Sequence, residues 1–274
     1  VPTWKLTVEY EGTRYHGWQE QKNARTVAGV IRQSAEEILG KPLGIGGSGR
    51  TDGGVHALAQ VAHLRAKGSV QPLELLRRLN SGLPADINVI KVEPAAETFD
   101  ARRDATSRFY LYQISQRRTA FAKPFVWWVK SGLDLEVMRS AAEGLIGQHD
   151  FAAFCDKRAD DRSTTVTVER VEMCVAGDLI LFRIGASHFL WRMVRRIVGM
   201  LVEVGSGSVS PRDFASLLSP AGPTARAKGE VRIVNKAYVA AHTAPSSGLF
   251  LERVMYSKKE AIGPLVPAFP VSST

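Results

Sequence analysis

The sequence predicts an α+β protein made of two similar halves, with a central sheet and helices covering one side of it. Three observations carry that expectation. Apolar Trp4, Leu6 and Val8 alternate with polar Lys5, Thr7 and Glu9, the two-residue period of a strand with one covered face. Downstream, Val27, Val30, Ile31, Ala35, Ile38 and Leu39 recur at helical spacing and supply a cover for that face. Beyond a boundary near Asp100 to Asp104, the order of strands and helices begins again.

Each element has its own local reason. A strand is expected from Trp4 to Tyr10. A helix follows from Thr26 to Leu39, opened by Thr26, whose hydroxyl oxygen can accept from an amide of the first turn. Leu58 to Arg65 reads as a strand. Pro72 to Asn80 reads as a helix, because proline suits a first turn whose amides lack intrahelical partners anyway. A strand near Ile87 to Val92 ends the first half, residues 1–103. In the second half, 104–258, Arg108 to Ser115 is a strand and Leu135 to Ile146 an amphipathic helix. Thr165 to Cys174 and Leu179 to Ile184 form a hairpin turned at Ala176-Gly177-Asp178. A long helix is expected from Phe189 to Val204, apolar around most of its circumference and therefore buried. Its exceptions, Arg192, Arg195, Arg196, Gly199 and Glu203, are spaced by three or four and fall on one face. An unpaired buried charge would cost several kcal/mol, so these arginines need partners: solvent or a structural glutamate, or, for one of them, an active-site carboxylate. Residues 259–274, with Pro264, Pro267 and Pro270, read as a loose tail.

Composition narrows the function. At 274 residues and 45% apolar content the chain can bury a sizeable core. Lys plus Arg outnumber Asp plus Glu by 36 to 27, a net charge of +9 that suits a polyanionic partner such as nucleic acid. Cys155 and Cys174 lack CxxC spacing and are too few for a disulfide scaffold or a zinc site. No leader is legible, and no apolar run reaches the roughly 18 residues of a membrane span. A soluble, cytoplasmic protein is expected.

The residues that carry chemistry lie in Gly47 to Ala57, which reads Gly-Ser-Gly-Arg-Thr-Asp-Gly-Gly-Val-His-Ala. One carboxylate, Asp52, stands between Arg50 and a pair of glycines. The glycines allow positive φ and let backbone approach a ligand where a Cβ would collide. Arg50, folded back, would keep the carboxylate ionised and aimed, as a nucleophile or base requires. Two other readings are set aside. Gly44 to Thr51 resembles a phosphate-binding P-loop with Arg50 in place of lysine, but two more glycines and a strand-like segment follow where a helix should begin. His16, Asp52, His56 and His63 lack a metal-ligand spacing, and no metal is expected.

The chain resembles the tRNA pseudouridine synthases of the TruA family. The resemblance rests on Gly49-Arg-Thr-Asp-Gly-Gly-Val-His-Ala57, Tyr10-Glu-Gly-Thr-Arg-Tyr-His-Gly-Trp-Gln19, Leu79-Asn-Ser-Gly-Leu-Pro84 and Phe99-Asp-Ala-Arg102. Tyr110, His149-Asp-Phe151 and Met193-Val-Arg-Arg-Ile-Val-Gly199 continue it in order along the chain. It implies isomerisation of uridine to pseudouridine in the tRNA anticodon stem-loop, at positions 38 to 40, without metal or organic cofactor. It implies Asp52 as catalytic aspartate, Arg195 as its partner and Tyr110 as the residue that stacks on the uracil. The implied fold is two ferredoxin-like halves whose antiparallel sheets merge beside a basic cleft, in a homodimer with tRNA lying across both subunits. A uridine in a stem must be flipped out, which costs a few kcal/mol offset by backbone contacts. Arg14, Lys22, Arg25, Arg50, Arg102 and Arg103 are the candidates for those contacts, and His56 is placed with them as RNA-contacting.

One departure from the family pattern is an apparent insertion, Ala225 to His242, between Ala221-Gly-Pro-Thr224 and Thr243-Ala-Pro. It is read as a surface excursion rather than a change in site access. Two other classes stay open: an RNA-binding protein without catalysis, and a P-loop nucleotide hydrolase.

Overall fold

The computed structural model describes residues 1–156, 163–218 and 234–271. Ala221 to Thr224 and the first part of the apparent insertion, 225–233, lie outside these residues. In chain order the first elements are β1 (Thr3–Tyr10), α1 (Val27–Leu39), β2 (Gly44–Gly47), β3 (His56–Arg65), α2 (Pro72–Gly82) and β4 (Ile87–Ala95). Then come β5 (Ser107–Ser115), β6 (Trp127–Trp128), α3 (Leu135–Glu143), β7 (Gly147–Asp150), β8 (Thr165–Ala176) and β9 (Leu179–Ala186). Last are α4 (Met193–Gly205), α5 (Pro211–Ser216), α6 (Lys236–Ala241) and β10 (Leu249–Met255). None of the helices among the described residues is long and apolar enough to cross a membrane.

The chain divides into two compact units. Unit 1 holds Val1–Arg108 and Phe250–Gly263; unit 2 holds Phe109–Leu249 and Pro264–Thr274. The division falls at Arg108, and the chain returns to unit 1 for β10, because β10 pairs in parallel with the start of β3, Phe250 opposite His56.

In unit 1 the strand order is β4-β1-β3, with β2 also on β3, and β1 lies antiparallel to both of its neighbours. This is the βαββαβ plan of a ferredoxin-like unit. Sequence reasoning missed β2, the strand that completes it. Gly-Ile-Gly-Gly has neither alternation nor β-branched bulk. It becomes a strand only because β3 offers a ladder, Gly44 opposite Arg65 through Gly47 opposite Ala62. On β1, Trp4, Leu6, Val8 and Tyr10 are buried, as the alternation predicted. Helix α1 buries Val27, Ala28, Ile31, Ser34 and Ala35, and Thr26 caps it by accepting from the Gly29 amide.

Unit 2 repeats part of that order, with β5-β9-β8-β7 as neighbours and β6 parallel to β5. Helix α3 ends at Glu143, earlier than predicted, at Gly144, and Ile146 is exposed beyond it. The β8–β9 hairpin turns on Gly177 and Asp178, Gly177 taking the left-handed φ of 60° that a tight two-residue loop needs. Residues 264–271, read as a loose tail, are tied to unit 2. The Arg183 Nη2 donates to Pro264 O at 2.9 Å, Gln113 Oε1 accepts from Ala268 N at 2.7 Å, and the Phe269 ring stacks on Phe125.

The apolar run Phe189 to Val204 is not one helix. Its first four residues stay outside α4, because Arg192 takes the left-handed conformation, φ 62° and ψ 5°, and breaks the helical path. The three arginines therefore have different surroundings. Arg192 is exposed, Arg195 half-buried, and Arg196 is 2% exposed with its Nη2 on Asp156 Oδ2 at 2.8 Å.

Candidate active site

Asp52 stands in the connection between β2 and β3, a loop held by its own ends. Ser48 enters it buried, its amide on Val61 O at 2.8 Å and its hydroxyl on Gln60 Oε1 at 2.7 Å. Gln60 Nε2 donates in turn to Gly49 O at 2.9 Å. Thr51 is buried against the Tyr10 hydroxyl at 2.8 Å. Burial pushes the Tyr10 phenol far up its scale, so it stays protonated and able to share that hydrogen bond. Val55 N donates to Asp52 O at 3.2 Å, closing a β-turn over Gly53 and Gly54, and Gly54 takes φ 77°. Asp52 is left half-buried at the start of that turn. No P-loop geometry results, since the segment leads into strand β3.

A second segment, residues 11–25, is folded against this loop, and its glycines make the approach possible. A Cβ on Gly12 would lie 2.0 Å from Val55 O, and one on Gly17 only 2.3 Å from Thr51 O. Gly17 also has φ 89°. Backbone bonds fasten the contact: Trp18 N to Thr51 O at 3.2 Å, and Gly54 N to Tyr15 O at 3.2 Å. The two glycine-bearing motifs of the sequence are thus one construction.

His56 belongs to that construction and not to the surface. It is 1% exposed, its Nδ1 accepts from Gly12 N at 3.0 Å, and its ring stacks on Phe250 at 4.8 Å. Through those two contacts its ring helps to hold the loop.

The candidate phosphate-contacting residues of unit 1 are placed outward. Arg14 is exposed and pairs with Asp86 at 2.8 Å. The Tyr15 hydroxyl also donates to Asp86, at 2.5 Å, and burial together with that bond pushes the Tyr15 phenol up to about 12. Arg25 lies over the Tyr15 ring, 5.1 Å from its centroid, and Lys22 is exposed on the short turn before it. Arg50 is exposed at the rim of the loop. Arg102 and Arg103 are exposed on the 97–105 loop, where their amides each donate to Asp100 Oδ1 at 3.0 Å. Burial works against the charge on Asp100, but those two amides, together with the neighbouring positive charge of Arg103, hold the carboxyl below the usual range.

Tyr110 and Arg195 lie in unit 2. Tyr110, on β5, is 8% exposed and meets Phe189 edge to face at 5.0 Å. Arg195, on α4, donates from Nε to Ala244 O at 2.7 Å, while Ala244 N donates to Arg195 O at 3.1 Å. Gly199 allows that segment onto the helix, since a Cβ there would meet His242 O at 1.8 Å. Tyr112 was not singled out from sequence. Its hydroxyl donates to Pro245 O at 2.8 Å, and burial raises its pKa well above the usual tyrosine value despite the nearby Arg195 charge. Arg108, also missed, is 8% exposed and donates to backbone carbonyls of two loops of unit 1. A lone arginine in an apolar strand gives no local sign of such a role.

A family model described as tRNA pseudouridine synthase matches residues 6–103 and 141–257. Among curated relatives, the tRNA pseudouridine synthase A of Beijerinckia indica subsp. indica is 41% identical over 262 residues, covering 94% of this chain and 95% of its own. That of Brucella ovis is 37% identical, covering 94% of this chain and 99% of its own. Among solved structures, a Cbf5-Nop10-Gar1 complex aligns with 72% of this chain and 54% of its own at 14% identity and a TM-score of 0.30. A superposition that loose says nothing further of this chain.

Proposed function

The chain belongs to the tRNA pseudouridine synthase family, and from that premise we propose that Asp52 is its catalytic carboxylate. The protein is an enzyme that isomerises uridine to pseudouridine in tRNA. The N1–C1′ bond breaks, the uracil turns, C5 bonds to C1′, C5 loses a proton and N1 gains one, so substrate and product are isomers. A detached base and a reactive sugar must be held together throughout, and one ionised carboxylate suffices for the chemistry. It attacks C1′ to give a covalent adduct, or removes the C2′ proton to give a glycal.

The observation that carries the assignment is the presentation of Asp52. It stands half-buried on a glycine turn braced by a second glycine-bearing segment, so that the carboxylate is held in a fixed place. In this reading Arg195 supplies a planar fork to the carboxylate, and Tyr110 offers the uracil a stacking face and assists proton removal at C5. The exposed cations Arg14, Lys22, Arg25, Arg50, Arg102 and Arg103 contact phosphates and offset the cost of flipping the nucleotide. The target uridines are those of the anticodon stem-loop, positions 38 to 40. The enzyme works as a homodimer in the cytoplasm and needs neither metal nor organic cofactor.

The test is tritium release from a tRNA transcript labelled at uracil C5, with no added metal or cofactor. Release by the wild type and none by the folded Asp52→Ala variant is the expected result. A transcript carrying cytidine at positions 38 to 40 should release nothing. Wild-type rates from the Asp52→Ala variant would refute the role of that carboxylate.

A further inference from the structure

We propose that Arg108 is a positioning residue that clasps the loop of Asp52 to the loop of Arg102 and Arg103, so that the two move as one. The inference rests on the reading of Asp52 as the catalytic carboxylate. Arg108 enters β5 with its guanidinium turned inward, 8% exposed. Its Nε and Nη2 both donate to Ser48 O, at 3.3 and 3.0 Å. From the other side Nη2 donates to Arg102 O at 2.5 Å and Nη1 to Ala105 O at 3.2 Å. Ser48 opens the Asp52 loop, and Arg102 and Ala105 belong to the loop that carries the outward arginines.

The partners of this cation are themselves fixed. Ser48 is held by Val61 and Gln60. Next to Arg102, the Ala101 amide donates to His63 Nδ1 at 3.1 Å and its carbonyl accepts from the Tyr256 hydroxyl at 2.7 Å. A guanidinium has donors pointing in several fixed directions within one plane, and here they reach three carbonyls on two loops at once. A lysine ammonium keeps the charge but cannot reproduce that fork. A phosphate gripped by Arg102 and Arg103 would therefore settle the backbone that carries Asp52, and placement of the carboxylate would follow from RNA engagement.

The experiment compares wild type with Arg108→Lys and Arg108→Gln. It measures tritium release at saturating tRNA, tRNA affinity by filter binding, and thermal melting, with assays run well below the lowest Tm. A misplacement of about 1 Å at a reacting group can cost on the order of a hundredfold in rate, so kcat of the Arg108→Lys variant should fall at least roughly tenfold. Its Kd for tRNA should stay within about threefold of wild type, since Arg102 and Arg103 remain and Ala101 is still hooked at both its amide and its carbonyl. The Arg102→Ala variant supplies the contrast, with a raised Kd and a smaller loss in kcat. A kcat for folded Arg108→Lys within about twofold of wild type would overturn the inference. So would a loss in both lysine and glutamine variants that merely tracks the unfolded fraction. Absence of pseudouridine formation by the wild type would instead sink the functional reading, and this inference with it.

Discussion

Replacing Gly17 with alanine should damage the loop that carries Asp52 through two separate costs, although Gly17 carries no functional group. Its φ of 89° is strained for any residue with a Cβ, worth about 1–2 kcal/mol. The new Cβ would also sit 2.3 Å from Thr51 O, a backbone atom that cannot rotate away, so the two segments must part. Forced overpacking of that kind costs about 1–3 kcal/mol. The sum, about 2–5 kcal/mol, is a large share of the 5–15 kcal/mol typical of a folded domain. At roughly 2–4 °C per kcal/mol, Tm should fall by about 4–20 °C. Because Trp18 N and Thr51 O would lose their hydrogen bond, the loop carrying Asp52 should shift as well, lowering kcat in the fraction that remains folded. Urea titration followed by tryptophan fluorescence gives the stability, and tritium release at saturating tRNA gives kcat. A Gly17→Ala variant with Tm within about 2 °C of wild type and unchanged kcat would refute the reasoning.

His63 should make stability depend on pH. Burial, aided by the Arg65 charge, lowers its pKa below 6.5, and its Nδ1 must stay unprotonated to accept from Ala101 N. The folded state thus binds fewer protons than the unfolded state, so this contribution is complete above pH 6.5 and is lost as pH falls through the folded value. Urea midpoints at pH 7.5 and 5.0 should show a steeper drop for wild type than for His63→Gln, and equal drops would contradict the account. Ending the chain after Gly263 should destabilise unit 2 by about 2–4 kcal/mol, because buried Gln113 Oε1 loses its amide donors and Arg183 Nη2 loses Pro264 O. Equal urea midpoints for full-length and shortened chains would show that residues 264–271 add nothing.

The Asp52 loop was legible in the chain because its requirements are local. A turn with positive φ calls for glycine, and Gly54 stands where the structure uses one, whereas the close approaches at Gly12 and Gly17 are to Val55 and Thr51, which no local pattern names. Strand β1 and helix α1 were legible for a similar reason, their periodicity recording which side faces the core. Other features had no local signal. Gly44–Gly47 has no strand pattern and is a strand only through β3. Apolar spacing carried the expected helix through Phe189–Leu190, where the left-handed Arg192 ends it. His56 and Arg108 look like ordinary polar residues until the fold shows which distant backbone groups they meet.

By itself, then, the sequence determined the α+β class from periodicity and the family from its motifs, and it singled out Asp52 as the carboxylate proposed for the chemistry. Tertiary structure alone decided the partners of that loop. The Gly12 amide finds His56, 44 positions away, and the Ser48 carbonyl finds Arg108, 60 positions away. No periodicity within a segment encodes such pairings, because each polar group takes its partner from whatever the packed core brings within 3 Å or so, and burial makes an unpartnered one costly.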